Sequence, residues 1–252
     1  MDILKVSTIT AILQLSGDIH LDNIYKDVPI TDYIPFIEYG QMNDIKGFSK
    51  KLLKKKRKKK KKRIFYNQAT LHVFHEGKLM NVKLFNNGKI QITGLKHETQ
   101  HIHLVNDLIQ YFQDLDIMDE DIHILNSKIV LINSDFDVGF QIERELLQRE
   151  IIELGMYSSY EPCIYPGVNI KYYMNTNNQN GICCCNSMCN GKGRANGDGD
   201  CKKVTIAVFK SGKAIITGGQ NKRQLETCYQ FITNFIDERK EFLELKERNT
   251  IE

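Results

Sequence analysis

The stretch Asn81–Phe112, NVKLFNNGKIQITGLKHETQHIHLVNDLIQYF, is written a second time at Thr205–Ile236 as TIAVFKSGKAIITGGQNKRQLETCYQFITNFI. A constant offset of 124 residues aligns the copies without a gap, and Phe85/Phe209, Gly88/Gly212, Lys89/Lys213, Ile92/Ile216, Thr93/Thr217 and Gly94/Gly218 coincide. Two copies are too few to stack into a solenoid. They point instead to one compact body with a pseudo-twofold axis, a symmetry that suits a roughly twofold partner such as duplex DNA.

Each copy opens on a hairpin. Asn86-Asn87-Gly88 is a strong turn signal because Asn and Gly tolerate positive φ, and Ser211-Gly212 fills the same place later. After Thr-Gly, apolar residues recur at helical spacing: Ile102, Val105, Leu108, Ile109 and Phe112, then Leu225, Cys228, Tyr229, Ile232, Phe235 and Ile236. Working outward, Leu4–Leu15, Phe65–Phe74, Leu79–Phe85, Lys89–Thr93 and Lys128–Phe140 read as strands, and His20–Tyr33 and Gln141–Leu154 as helices. Each half is therefore strand, helix, several antiparallel strands, long helix. That order predicts an α+β fold with helices on one sheet face. The repeats are expected at 1–118 and 119–252, with inserts at 50–63 and 174–201. The other sheet face, bearing Phe, Ile and Thr, is expected to be a binding surface.

The net charge of +4 conceals a division. Lys50–Arg63 (KKLLKKKRKKKKKR) holds 12 of the 35 basic residues, which leaves 23 basic against 31 acidic residues elsewhere. So dense a run repels itself, and reads either as a disordered solvated loop or as an arm for a polyanion. No apolar run has transmembrane length and no secretory signal is evident, so seven cysteines point to a reducing compartment and an intracellular protein without membrane association. Five of these cysteines fall in NTNNQNGICCCNSMCNGKGRANGDGDC, between Tyr173 and Lys202. Four thiolates close a tetrahedral zinc site and would stabilise a segment with almost no apolar core. Cys183, Cys185, Cys189 and Cys201 are the expected ligands; the alternative is an Asn/Gly-rich loop with free thiols. Cys163 and Cys228 read as small buried apolar residues.

His97-Glu98-Thr99-Gln100-His101 matches the zinc-protease pattern H-E-x-x-H. The other copy carries Asn221-Lys222-Arg223-Gln224-Leu225 there, so a repeated helix accounts for the segment without catalysis. These His and Glu side chains are expected on the surface of a first helical turn, and the protein is expected not to be an enzyme. Gly191-Lys192-Gly193 and Gly197-Asp198-Gly199-Asp200 lack the full spacing of phosphate or calcium loops and read as turns.

Ser158-Ser159-Tyr160-Glu161-Pro162-Cys163-Ile164-Tyr165-Pro166-Gly167, with Phe209-Lys210-Ser211-Gly212-Lys213 running on to Thr217-Gly218, resembles the TATA-box-binding protein family. The resemblance covers nearly the whole chain and is strongest from Tyr157 to Phe235. It implies a pseudo-twofold saddle, a curved antiparallel sheet with convex helices. The family is itself the standing example of a sheet that lies in the minor groove and kinks DNA with apolar wedges. Carried over by position, the wedges fall on Phe85, Phe209 and Tyr165. The fourth aligns with Gln68, with Phe65 and Tyr66 beside it and Phe65 preferred. Groove-facing positions match Ala207, Ile215 and Thr217, but Lys83, Gln91 and Thr93 in the first repeat. Lys89, Lys213 and Lys171 match basic positions flanking the groove. The implied partners are double-stranded DNA, a transcription factor IIB-like protein and RNA polymerase, with the chain a monomer or weak dimer. The second possibility is a saddle that kept protein interaction and lost most DNA binding. The Asn-rich composition, Lys run and Cys insert point to a large DNA virus, and so to a nucleus, a viral factory or a virion.

Overall fold

The computed structural model describes residues 2–48, 65–176, 180–196 and 198–246. The Lys run expected as a disordered loop at 50–63 lies outside the described residues. The described elements form two compact units, Thr8–Val130, and Met1–Ser7 with Leu131–Glu252. Strands β1 (Lys5–Leu15) and β7 (Ile124–Asp137) each run from one unit into the other along the chain.

In the Thr8–Val130 unit the strands are β1, β2 (Phe36–Tyr39), β3 (Asp44–Gly47), β4 (Gln68–His75), β5 (Lys78–Phe85) and β6 (Lys89–Leu95). They pair antiparallel in the order β3-β2-β4-β5-β6-β1. Helices α1 (Leu21–Asp27) and α2 (Gln100–Asp114) complete it. Alternation decides which face is covered. Ile9, Ala11, Leu13, Ala69, Leu71, Val73, Met80, Val82, Leu84, Ile90 and Ile92 are buried on the helix side, with Leu104, Val105, Leu108 and Phe112 of α2. Each of the larger of these side chains contributes about 1.5–3 kcal/mol by leaving water.

The second unit repeats the plan. Strands β7, β8 (Tyr157–Glu161), β9 (Tyr165–Met174), β10 (Lys202–Val208) and β11 (Lys213–Gly219) lie in the order β7-β11-β10-β9-β8. Helices α3 (Arg144–Glu153), α4 (Lys222–Glu238) and α5 (Lys240–Leu243) follow. Leu225, Cys228, Ile232, Phe235 and Ile236 of α4 are buried, together with Val168, Ile170, Val204, Ile206, Ala214 and Ile216. Local chemistry repeats too. Gln100 Oε1 accepts from Lys96 N–H at 2.9 Å and Gln224 Oε1 from Gln220 N–H at 2.8 Å, the same contact at the same offset. Asn221 also caps α4 by accepting from Gln224 N–H at 3.0 Å, worth about 1 kcal/mol.

The repeated turn glycines are held by two constraints. Gly88 and Gly212 have φ of +73° and +85°, and a Cβ would stand 2.3 Å from Gly17 O or 2.2 Å from Phe140 O. Four strands were not marked out by composition: β2 and β3 are short and precede the Lys run, β8 is rich in Ser, and β9 carries Pro-Gly at its second and third positions.

Candidate nucleic-acid interface

The face opposite the helices carries the candidate residues in each unit. Directly opposed residues in adjacent strands share a face, so the register lays out rows. In the Leu131–Glu252 unit, Ala207 opposes Asn169 and Ile215, and Ile215 opposes Asp135. The next row holds Lys171, Thr205, Thr217 and Asn133. In the Thr8–Val130 unit the matching rows are Thr70, Lys83, Gln91 and Ile12, then His72, Asn81, Thr93 and Thr10.

The aromatic residues stand at one end of these rows. The rings of Tyr165 and Phe209 lie 5.7 Å apart at 56°. Gly167 separates them, and a Cβ there would come within 2.9 Å of the Tyr165 ring and 3.0 Å of Phe209. The same register bears on the fourth position, which the sequence left between Phe65 and Tyr66. Gln68 opposes Phe85, while continuing the Val208–Val168 register sets Phe209 opposite Gly167. Gln68 is thus the counterpart of Gly167, and Tyr66, two residues earlier, is the counterpart of Tyr165. Tyr66 is 62% exposed. Phe65, the expected substitute, is exposed but one residue out of register. Gln68 is buried and donates from Nε2 to Thr70 Oγ1 at 2.8 Å. Among the described residues Tyr66 and Phe85 make no ring contact of the Tyr165–Phe209 kind.

The charged positions divide. Lys89 and Lys213 are exposed at the starts of β6 and β11. Lys171 is half-buried within the face, donating to Thr205 Oγ1 at 3.0 Å, and burial, with Lys203 nearby, lowers its pKa. Asp135 and Asp137 lie on the same face, opposite Ile215 and Lys213, and Ser7 donates to Asp135. These two carboxylates were missed because Lys128–Phe140 was read as a strand without assigning its faces. On the other unit the outermost part of the face is closed, with Phe36 packed against His72 at 4.6 Å between centroids.

The cysteine set comes together. The Sγ atoms of Cys183, Cys185, Cys189 and Cys201 all lie within 4.8 Å of one another. Cys185 and Cys201 are 3.3 Å apart, and Cys183 and Cys201 are 4.0 Å apart. A tetrahedron with metal–sulfur bonds of about 2.3 Å has edges of about 3.8 Å, so four thiolates here can hold a metal ion. Asn175 Nδ2 donates to Cys201 Sγ at 3.4 Å, a second contact that orients this ligand. Cys184 is exposed and stands apart from the cluster. Cys228 is buried as expected; Cys163 is not, because it sits exposed in the turn between β8 and β9.

His101 also departs from expectation. It is 4% exposed, in the core position that Leu225 fills in the other repeat, while His97 and Glu98 are exposed. Among the described residues the H-E-x-x-H segment forms no metal-holding group. Burial, partly opposed by the Glu98 carbonyl, lowers the His101 pKa. The folded state therefore resists protonation. Stability is full above the unfolded value near pH ~6.5 and is lost as pH falls from there through the lower folded value. Melting temperatures across pH 7.5 to 5.5 are expected to fall less for His101→Leu than for the wild type.

Comparison with known proteins agrees with this layout. Residues 126–238, which span β8 to α4 and nearly all of β7, match the family described as transcription factor TFIID, or TATA-binding protein. A TATA-box-binding protein-like protein of Acanthamoeba polyphaga mimivirus is 29% identical over 247 residues, covering 91% of this chain. The chain spans 64% of that relative's length. The structure of Methanococcus jannaschii TBP superposes with a TM-score of 0.57 at 15% identity, covering 93% of this chain and 98% of its own, a likeness of fold. No helix among the described residues is long and apolar enough to cross a membrane.

Proposed function

We propose that this chain, a divergent TATA-box-binding-protein-like protein of viral type, is a transcription initiation factor that binds the DNA minor groove with its helix-free sheet faces and bends the duplex. The observation that carries this is the aromatic pair Tyr165–Phe209 at the end of one such face, with Tyr66 and Phe85 at the equivalent register positions of the other. Minor-groove binders insert apolar side chains between base steps, and the few kcal/mol of unstacking is offset by the larger surface a bent duplex covers. Ala207, Ile215, Thr217 and Thr93 then lie against the groove floor, and Lys89 and Lys213 reach phosphates. Lys171 acts from within the face. The helices, on the opposite side, present surfaces for a transcription factor IIB-like protein and RNA polymerase. The protein acts where a viral genome is transcribed, in the nucleus or in a cytoplasmic viral factory.

Zinc, held by Cys183, Cys185, Cys189 and Cys201, serves a structural role in this proposal. The four sulfurs leave no protein-free coordination position, which separates such a site from a catalytic one. The resemblance to a transcription-factor family favours a non-enzymatic role.

Asp135 and Asp137 favour a second reading, a saddle that docks a basic protein surface and has lost DNA binding. One titration separates the two. An A·T-rich duplex with fluorophores at both ends is expected to bind saturably and to bring its ends closer. Binding without approach of the ends rejects bending, and no binding favours the protein-docking alternative.

A further inference from the structure

The two helix-free faces differ most in one row, the first beyond the aromatic end. In the Leu131–Glu252 unit its central strands contribute Ala207 and Ile215, which oppose each other. In the Thr8–Val130 unit the same two places hold Lys83 and Gln91, which also oppose each other. The surrounding polar groups are largely consumed within the protein. Lys171 donates to Thr205, Thr217 to Asn133, Ser7 to Asp135, and Thr10 and Thr93 share a contact at 3.4 Å. Lys83 and Gln91 are different: both are half-buried, and among the described residues neither side chain has a hydrogen-bond partner. The Thr8–Val130 face thus holds donors and an acceptor available to a ligand where the two central strands of the other face are apolar, with Asn169 and Asp135 on the strands outside them.

We propose that Lys83 and Gln91 make the half-site under the Thr8–Val130 unit tolerant of G·C pairs, while Ala207 and Ile215 restrict the other half-site to A·T. The inference rests on the minor-groove reading above. In that groove A·T and T·A present only acceptors, and G·C adds one feature, the guanine N2 amino donor. Against Ile215, with Ala207 buried beside it and the Asp135 carboxylate across from it engaged by Ser7, that donor is desolvated without a free acceptor. The cost of one unsatisfied buried donor corresponds to roughly 5- to 150-fold in affinity. The Gln91 carboxamide oxygen accepts from guanine N2, and its amino group donates to the acceptors of an A·T pair, so one side chain suits either. Lys83 donates to groove acceptors and is drawn to the strong negative potential of a narrow groove. Asn169 is the carboxamide of the apolar row, but it lies one strand outward, opposite Ala207.

Three duplexes test this: one with a twofold-symmetric A·T site, one with a G·C pair in a single half, and one with G·C in both halves. A protein with one tolerant face turns so that a single G·C falls beneath it. The first two duplexes are therefore expected to bind within about threefold, and the third about tenfold or more weaker. Gln91→Val is expected to make the singly substituted duplex weak as well. Ile215→Gln, at a position 36% exposed, is expected to restore the third, a gain that misfolding cannot mimic. Equal stepwise losses with each G·C, or no rescue by Ile215→Gln, overturn the inference while leaving minor-groove binding intact. Failure of all three duplexes to bind overturns the minor-groove reading and this inference with it.

Discussion

Replacing Phe85 and Phe209 together by alanine is expected to abolish measurable bending and to weaken binding to an A·T-rich duplex by at least about 30-fold. Alanine substitution of an aromatic that stacks on a base costs about 1–3 kcal/mol, so two lost wedges amount to about 2–6 kcal/mol. Both side chains are only half-buried, at the ends of β5 and β10 rather than beneath α2 or α4. The melting temperature is therefore expected to stay near wild type, unlike the loss from truncating a core residue such as Leu84 or Ile216, about 2–5 kcal/mol. Single substitutions carry a further distinction. Phe209 shares its ring contact with Tyr165, whereas Phe85 stands opposite Gln68. Phe209→Ala removes a wedge and unseats its neighbour, so it is expected to have the larger effect. Electrophoretic titration with circular-dichroism melting checks both parts.

The second large effect concerns the cysteine insert. Cys185→Ser is expected to remove one zinc per chain and to release the segment between β9 and β10 while the strands of both units persist. Structural zinc in finger peptides supplies about 10–16 kcal/mol, far more than a Gly/Asn-rich segment gains from packing. Amide protection in the insert is expected to drop by about 10³-fold, or ~4 kcal/mol, with little change in β10 and β11. Cys184→Ser, at the exposed neighbouring thiol, is expected to leave the metal in place. Native mass spectrometry with hydrogen exchange reads both outcomes. A metal-free wild-type protein purified with zinc present would contradict the assignment.

Much of this was legible because a repeat constrains two places at once. The Asn-Gly and Ser-Gly turns, the strands on either side and the apolar stripe of the following helix each occur twice, so each copy corroborates the other. The cysteine cluster was legible from chemistry, since a segment with no apolar core must be held by something else. The misses have physical causes. Between Phe65 and Tyr66 the sequence alone did not choose, because the Lys run interrupts their hairpin; the register of Gln68 with Phe85 sets Tyr66 at the position equivalent to Tyr165. His101 was counted as polar, yet the repeat places Leu225 at its position, and the core claims both. Cys163 looked apolar by type, but a tight turn beside Pro162 turns it to solvent. Asp135 and Asp137 required knowing which side of β7 carries the odd residues.

The most direct measurement replaces the A·T pairs of a bound duplex with inosine·cytosine pairs. These present the minor groove of A·T, lacking guanine's amino group, beneath the major groove of G·C. Binding through the minor groove predicts affinity within about threefold of the A·T duplex. Affinity that falls as far as it does for the G·C duplex would contradict it.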